Sequence, residues 1–552
     1  MSRRTSTAPT FVPQSSRGPS GRNWLWVHLG TLVLAVPVLV WVNRDQGFSG
    51  DEWVVITPRG LGSNPQRDSI LAPHFEHWTT LPILAFKGIY GLVAMRSYWP
   101  YVALLILVQL VATHMLWRVL LRVGVVAPFA TAVAALFVVM AVGWENLSTA
   151  WQITIISPLA FGFGALLLMP QRGERFGRRD VGVWVLLTIG VMCSGTGVTM
   201  AMVVGIATLL RRGWKLALMA VSVPALVWGA WYLGWGTEGQ RNESSLGDAI
   251  TGLPGFVWRG MTDAVGGLFR IDVLGPVVLI AIVAWIVWRA RPRVEPWPLV
   301  IALSAGALLG SALTGLRRAG TDGGASRYAY VVVALLLPAL ALALQDLVGP
   351  YIRRHGRAAV YAVTGVLVAC LVVQVVALND EISNEIFVGQ MRPRTLATAL
   401  LLREGQPVIA PTLFPIITEP RPSTVKRLDA AGELPSLDEV THDDVLSAAE
   451  WVQMTIDGPG SVKYPVPGAL CTTVTKPTDL ALAQASSLTV TSDRTGLFDL
   501  QFRDDQGAGD TRQVYVLRKA PEVLNIARAP VTVRIAPVPG GSMSVCGIIP
   551  AN

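Results

Sequence analysis

The sequence predicts a polytopic α-helical membrane protein that ends in a smaller extracytoplasmic α+β tail. Three observations lead there. Hydrophobic residues make up 52% of the 552-residue chain and charged residues only 15%, where a soluble domain carries roughly 25% charge. Runs long enough to cross a bilayer crowd between residues 24 and 377. Beyond residue 378 the texture turns to Pro and acidic residues, and finally to alternating apolar and polar positions.

Residues 1–23 are polar, basic and rich in Pro and Ser. They lack the small-residue cleavage site that follows a signal peptide's short apolar core, so they read as a disordered cytoplasmic tail. The run from Trp24 to Val42 is long enough, at 1.5 Å per residue, to cross about 30 Å of hydrocarbon, and forms the first span. Further runs near 99–121, 124–143, 153–170, 181–199, 197–210, 216–235, 273–290, 297–314, 329–345 and 358–377 give about eleven spans in a membrane domain of 24–377. At 181–210 the run is interrupted by "CSGTG", Cys193 to Gly197. That stretch is either a kink or a meeting of two short helices, which is tolerated where backbone is buried in protein and not where it faces lipid.

The net charge of +9 does not point to nucleic acid. The basic residues form short clusters between the apolar runs: Arg118 and Arg122; Arg172, Arg175, Arg178 and Arg179; Arg211, Arg212 and Lys215; Arg289, Arg291 and Arg293; Arg353, Arg354 and Arg357. This is the positive-inside pattern. It predicts a multi-pass cell-membrane protein with a cytoplasmic N-terminus and with 44–98, 144–152, 236–272, 315–328 and everything after 378 outside. Within the tail, 378–469 reads as helices and ordered loops, and 470–552 as a small β-sandwich of half-buried strands. Cys471 and Cys546 bracket that sandwich in a compartment that allows oxidation, so they are expected to pair and tie its first and last strands. Sugar-binding modules share such a build, as do sandwiches without a ligand.

The long outer loop 44–98 carries the first candidate site, since loops of that length tend to be functional or disordered and this one is apolar. Asp51 and Glu52 follow the first span directly, and "ILAPHFEHWTTLPILAFKGIYGLV" predicts a helix lying in the membrane interface, with His74, Glu76, His77 and Thr79 at its start. The acidic pair is either a solvated helix end or part of a site, and the histidines either interfacial side chains or ligands. A metal site is not predicted, because His-x-x-His lacks the i, i+4 spacing of a helical metal pair. In "GWENLSTAWQI", Trp144 and Trp151 flank Glu145 and Gln152. Such rings are either interfacial belt residues or, with the carboxylate and amide, a sugar-binding surface. Arg317, Arg318 and Arg327 lie on the outer side, against the positive-inside bias. They are read either as ion pairs or as phosphate ligands, which guanidinium groups hold through paired hydrogen bonds.

Asp51-Glu52 after the first span, the long first outer loop, the multi-span body and the soluble tail resemble the GT-C superfamily of integral-membrane glycosyltransferases. "FEHWTTLP", "GWENLSTAWQI", "CSGTG" and "SRYAYVVVALLLPAL" are similar to runs in a group of actinobacterial multi-span proteins of that plan. The resemblance covers roughly 24–377 and implies transfer of a sugar from a polyprenyl-phosphate donor to a cell-envelope glycan or glycolipid acceptor at the outer face, among membrane lipids and without nucleic acid. It implies Asp51 as general base, with Glu52, Glu76 or Glu145 orienting the acceptor, His77 as a phosphate or hydroxyl ligand, and the three arginines stabilising the leaving phosphate. Asp-Glu stands where the superfamily often has Asp-x-Asp, so dependence on a divalent cation is left open. The alternatives are a transporter or flippase for a lipid-linked sugar and a non-catalytic scaffold whose tail binds glycan. Against transport, no inverted repeat is visible in the span pattern, and the acidic residues cluster on outer loops and not at mid-membrane.

Overall fold

The computed structural model describes residues 19–48, 50–56, 69–238, 246–292, 294–318, 323–384, 386–410, 421–457, 471–482 and 484–547. The helices, in chain order, are α1 (Pro19–Val42), α2 (Gly50–Ile56), α3 (Thr80–Val93), α4 (Trp99–Arg122), α5 (Ala127–Val138), α6 (Trp144–Ser148), α7 (Ile153–Leu168), α8 (Arg178–Val191), α9 (Gly195–Arg212), α10 (Trp214–Gly234), α11 (Leu246–Phe269), α12 (Leu274–Arg289), α13 (Trp297–Arg318), α14 (Ser326–Asn384), α15 (Ile386–Arg403), α16 (Pro422–Ala430) and α17 (His442–Val452). The strands are β1 (Met454–Asp457), β2 (Cys471–Val474), β3 (Thr478–Leu482), β4 (Ser486–Ser492), β5 (Gly496–Arg503), β6 (Arg512–Val516), β7 (Pro521–Ile526), β8 (Val531–Ala536) and β9 (Met543–Cys546). The described residues form two compact units, one drawn from within 19–45, 69–86 and 99–384, the other from within 46–56, 87–98 and 386–547.

The first unit is the helical membrane body. Among the described residues six helices are long and apolar enough to cross a bilayer, or eight if each of two bent pairs is one span. Four features separate six from the eleven runs in the sequence, the first being that the run at 273–290 forms only α12, 16 residues long and bent by 106° from α11. The last two runs fall in one stretch, Ser326–Ser383, made of two helices joined across a kink. It turns at Gly356, whose φ of 58° suits a residue without a Cβ. The run at 124–143 is short as a helix: α5 stops at Val138 and the chain bends by 42° into 141–148. At "CSGTG" the chain takes the broken form, with α8 and α9 separated by residues 192–194. Ser194 caps α9 by accepting from the Thr196 N–H. A Cβ at Gly197 would lie 2.2 Å from the Gly190 carbonyl oxygen, so this crossing requires glycine.

The structure adds to one expectation and corrects another. The segment 236–272, to which no secondary structure was assigned from the sequence, is mostly the helix α11. Its buried positions Ala249, Phe256, Met261, Ala264 and Val265 recur at helical spacing, and it packs against α12, α13 and α14. The interfacial helix expected from residue 70 begins only at Thr80. Before it, His74 and His77 exchange both backbone N–H···O bonds at 2.9 Å, and Phe75 takes φ 52°. A helix cannot continue through that turn.

The second unit holds α2, α15, α16, α17 and two antiparallel sheets, ordered β1-β7-β4-β9-β2 and β3-β8-β5-β6. β8 and β5 bury every second residue, as the alternation in "VTVRIA" and "GLFDLQFR" dictates. The sandwich recruits β1 from outside the expected 470–552. Cys471 and Cys546 are directly opposed on β2 and β9 and form a disulfide. With a sequence separation of 75, such a link is typically worth ~2–5 kcal/mol.

Beneath the sandwich lies a charged knot. Glu450 of α17 is fully buried, and its Oε1 accepts from the Phe502 N–H at 2.6 Å. Arg512 donates to the Glu450 carbonyl at 2.7 Å. The guanidinium groups of Arg394 and Arg512 lie 4.4 and 4.1 Å from the centre of the Trp451 ring, joining α15 and β6 to α17. Burial pushes the Glu450 carboxyl up to about 9, against the pull of the Phe502 N–H and the two arginines. Glu450 therefore contributes its full stability below the unfolded value of 4.5 and loses it as pH rises toward about 9. Glu450→Gln, which keeps an acceptor for Phe502, should stabilise this unit in the full chain increasingly across that window, by up to about 1.4 kcal/mol per pH unit. Denaturant unfolding of both proteins across that pH range checks this; parallel profiles would contradict it.

Candidate functional site

The site in the first unit starts from a pinned loop. Residues 69–79 are polar at several positions, and their backbone groups have to be satisfied where they meet the helices. Trp78 stacks on Trp231 of α10, with ring centroids 5.2 Å apart and planes 2° from parallel. Its indole N–H donates to the Thr80 hydroxyl at 2.7 Å, and that hydroxyl donates to the Ile70 carbonyl. Trp231 donates to the Leu71 carbonyl at 2.8 Å, and the Leu81 N–H reaches the Met192 carbonyl at the α8 break. Val191 completes this buried cluster. The tight turn at 74–77 is thereby held against the break, where a Cβ on Gly195 would stand 3.1 Å from His77 Nδ1.

The turn aims Glu76 at Arg318, in the last turn of α13. Arg318 Nε and Nη2 donate to Glu76 Oε1 at 3.1 and 3.0 Å, and Nη2 also reaches Oε2 at 3.3 Å. His77 Nε2 lies 3.5 Å from the same carboxylate. Burial pushes the Glu76 carboxyl up, but His77, Arg318 and the hydrogen bonds outweigh it and hold the group below the ordinary carboxylate range. The Arg318 guanidinium also stands 6.0 Å from the ring centres of both Phe75 and Tyr328. Arg317 precedes it, exposed, in the same turn.

A second pair lies at the start of α14. Glu145 Oε2 accepts from the Arg327 backbone N–H at 3.2 Å and from Arg327 Nη1 at 3.4 Å, while the Glu145 N–H donates to Ser326 Oγ at 3.2 Å. A carboxylate at a helix N-terminus satisfies an orphan N–H and complements the helix dipole. The Arg327 guanidinium stands 5.1 Å from the Tyr328 ring centre. Asp263 of α11 comes close to the same turn: its Oδ2 lies 2.6 Å from where a Cβ on Gly324 would be. Asp263 is not among the residues singled out from the sequence. The helical spacing of the buried residues in α11 was the signal that could have placed it.

The other candidates separate by burial. Trp151 is buried, with Phe86 and His74 edge-on to its ring at 5.2 and 5.4 Å, and His74 is buried beside it. Trp144 and Gln152 are half-buried. Asp51 and Glu52 belong to α2 of the second unit. Glu52 is fully buried and accepts the Tyr98 hydroxyl at 2.8 Å, whereas Asp51 is half-exposed in the first turn. Among the described residues no group of three or more His, Cys, Asp or Glu is placed to hold a metal ion.

No protein-family model matches the chain, and no curated protein matches it. Among solved structures, the chain is similar to ArnT from Cupriavidus metallidurans bound to undecaprenyl phosphate, at 12% identity and TM-score 0.43 over 79% of this chain and 92% of that one. It is similar to the apo state of the same protein at 13% identity and TM-score 0.45, over 79% and 93%. At this level the likeness assigns neither an activity nor the role of any residue.

Glu76→Gln should destabilise the chain by about 1.5–3 kcal/mol at neutral pH, the range for hydrogen bonds to charged groups. A depressed carboxyl contributes stability above its unfolded value of 4.5 and loses it as pH falls through the lower folded value. The wild-type and variant unfolding midpoints should therefore converge on acidification; a gap independent of pH would contradict the pairing.

Proposed function

We propose that the chain is a membrane glycosyltransferase that moves a sugar from a polyprenyl-phosphate donor to a cell-envelope glycan or lipid acceptor at the outer face. The observation that carries this reading is a pair of arginines at one end of consecutive apolar helices, each braced by a carboxylate: Arg318 by Glu76 and Arg327 by Glu145. Cations fixed at the rim of a lipid-embedded bundle suit a ligand whose tail stays in the bilayer and whose phosphate reaches the surface. The positive-inside pattern supports placing this rim, and the tail from 378 onward, outside the cell.

In the reaction, an acceptor hydroxyl oxygen attacks the anomeric carbon while the bond from that carbon to the phosphate oxygen breaks. The polyprenyl phosphate leaves with the electron pair, and the hydroxyl proton passes to a general base. Arg318 and Arg327 stabilise the charge that develops on the phosphate, in positions set before the substrate arrives. Arg317 neighbours them in sequence and His77 is a further ligand for phosphate or hydroxyl. Asp51, half-exposed in the first turn of α2, is the proposed base, as the resemblance implies. Trp144, Glu145 and Gln152 are the candidates for acceptor contacts, and the sandwich remains a candidate glycan-binding module.

Asp51→Asn keeps size and hydrogen-bonding capacity but removes basicity, so turnover with a defined polyprenyl-phosphate sugar should fall by ~10²–10⁴ while donor binding survives. Arg327→Ala should weaken donor binding first. Full turnover by both variants would overturn the assignment.

A further inference from the structure

α7 packs between α4 and α8, and these three helices enclose a cavity of about 620 Å³ away from the arginine–carboxylate pairs. Its lining is apolar except for Arg118 and Ser157. Two parallel edges define it, Leu107 to Arg118 on α4 and Ser157 to Leu168 on α7. At 1.5 Å per residue each edge is about 16 Å long, half of a ~30 Å hydrocarbon core. Leu107, Val111 and Leu168 are exposed, so the groove opens sideways to the lipid. It has the length and lining of one acyl chain in one leaflet.

The charged end gives the occupant its class. Arg122, one helical turn beyond Arg118, is consumed by the protein: it donates to the carbonyls of Leu166, Leu167 and Met169 and closes the end of α7. Arg118 is exposed and makes no ion pair or hydrogen bond among the described residues. Arg118 lines the groove near the end of α4, where long cationic side chains reach the membrane–water interface. A cation there attracts a net-negative lipid headgroup. We propose that this groove binds one chain of an anionic glycerophospholipid, with Arg118 holding the headgroup phosphate. The proposal is independent of sugar transfer, because none of the groove residues named here belongs to the arginine–carboxylate site.

The test uses the full-length chain, delipidated in detergent and titrated with phosphatidylglycerol or phosphatidylcholine of matched chains, with the thermal midpoint as readout. Phosphatidylglycerol should raise the midpoint by about 3 °C or more beyond phosphatidylcholine, as a ligand specific to the folded state does. Arg118→Gln should erase that difference and Arg118→Lys should keep most of it. Val111→Trp, which fills the groove without touching charge, should blunt the response to phosphatidylglycerol. Equal shifts by the two lipids on the wild type, or an undiminished preference in Arg118→Gln, would overturn the proposal. If Arg118→Gln does not fold, Val111→Trp decides: an unchanged response overturns it.

Discussion

A guanidinium group at the rim of an apolar helix bundle has to be paired, because leaving it half-desolvated without a counter-charge costs several kcal/mol. The end of the first unit that carries Arg318 and Arg327 is organised around that requirement. Arg318 ends α13 and takes its carboxylate from a loop far away in sequence, while Arg327 opens α14 and takes its own from α6. Meeting it fixes the loop, and fixing the loop requires the Trp78–Trp231 stack and the hydrogen bonds to Ile70, Leu71 and Met192 carbonyls. That chain of dependence explains why the α8–α9 break is glycine-rich. Gly195 admits His77, and Gly197 admits the backbone of Gly190.

Bracing also has a chemical consequence. An ion pair formed with a partner from another element holds the arginine in one rotamer, so that little reorganisation remains when an anion arrives. Glu145 does this twice, capping α14 and gripping the side chain of its second residue. In the second unit the division between Asp51 and Glu52 follows the same logic of access. Glu52 is spent inside on Tyr98, whereas Asp51, its neighbour on the helix, is half-exposed.

Much of this was legible in the sequence because periodicity and charge are local signals. The alternation in β5 and β8 gave away the sandwich, and the apolar runs at 24–43, 99–121, 216–235 and 297–314 mark α1, α4, α10 and α13. The arginines stood out because they run against the positive-inside bias. Their partners did not, since which carboxylate reaches Arg318 depends on a turn at 74–77 that rests on long-range contacts. α11 escaped for a different reason: its polar face and its glycines dilute hydropathy, and a reading based on apolar run length passes over an amphipathic helix. The break at 192–194 was visible as two open options, and close helix crossing decided between them.

The central claim is that Arg318 and Arg327 together form the seat of a lipid-linked phosphate. A structure of the full chain with a polyprenyl-phosphate analogue tests it most directly. The account predicts the phosphate within hydrogen-bonding distance of both guanidinium groups, with Glu76 and Glu145 still bracing them. A phosphate bound elsewhere, with both pairs undisturbed, would contradict it and reduce the pairs to structural ties.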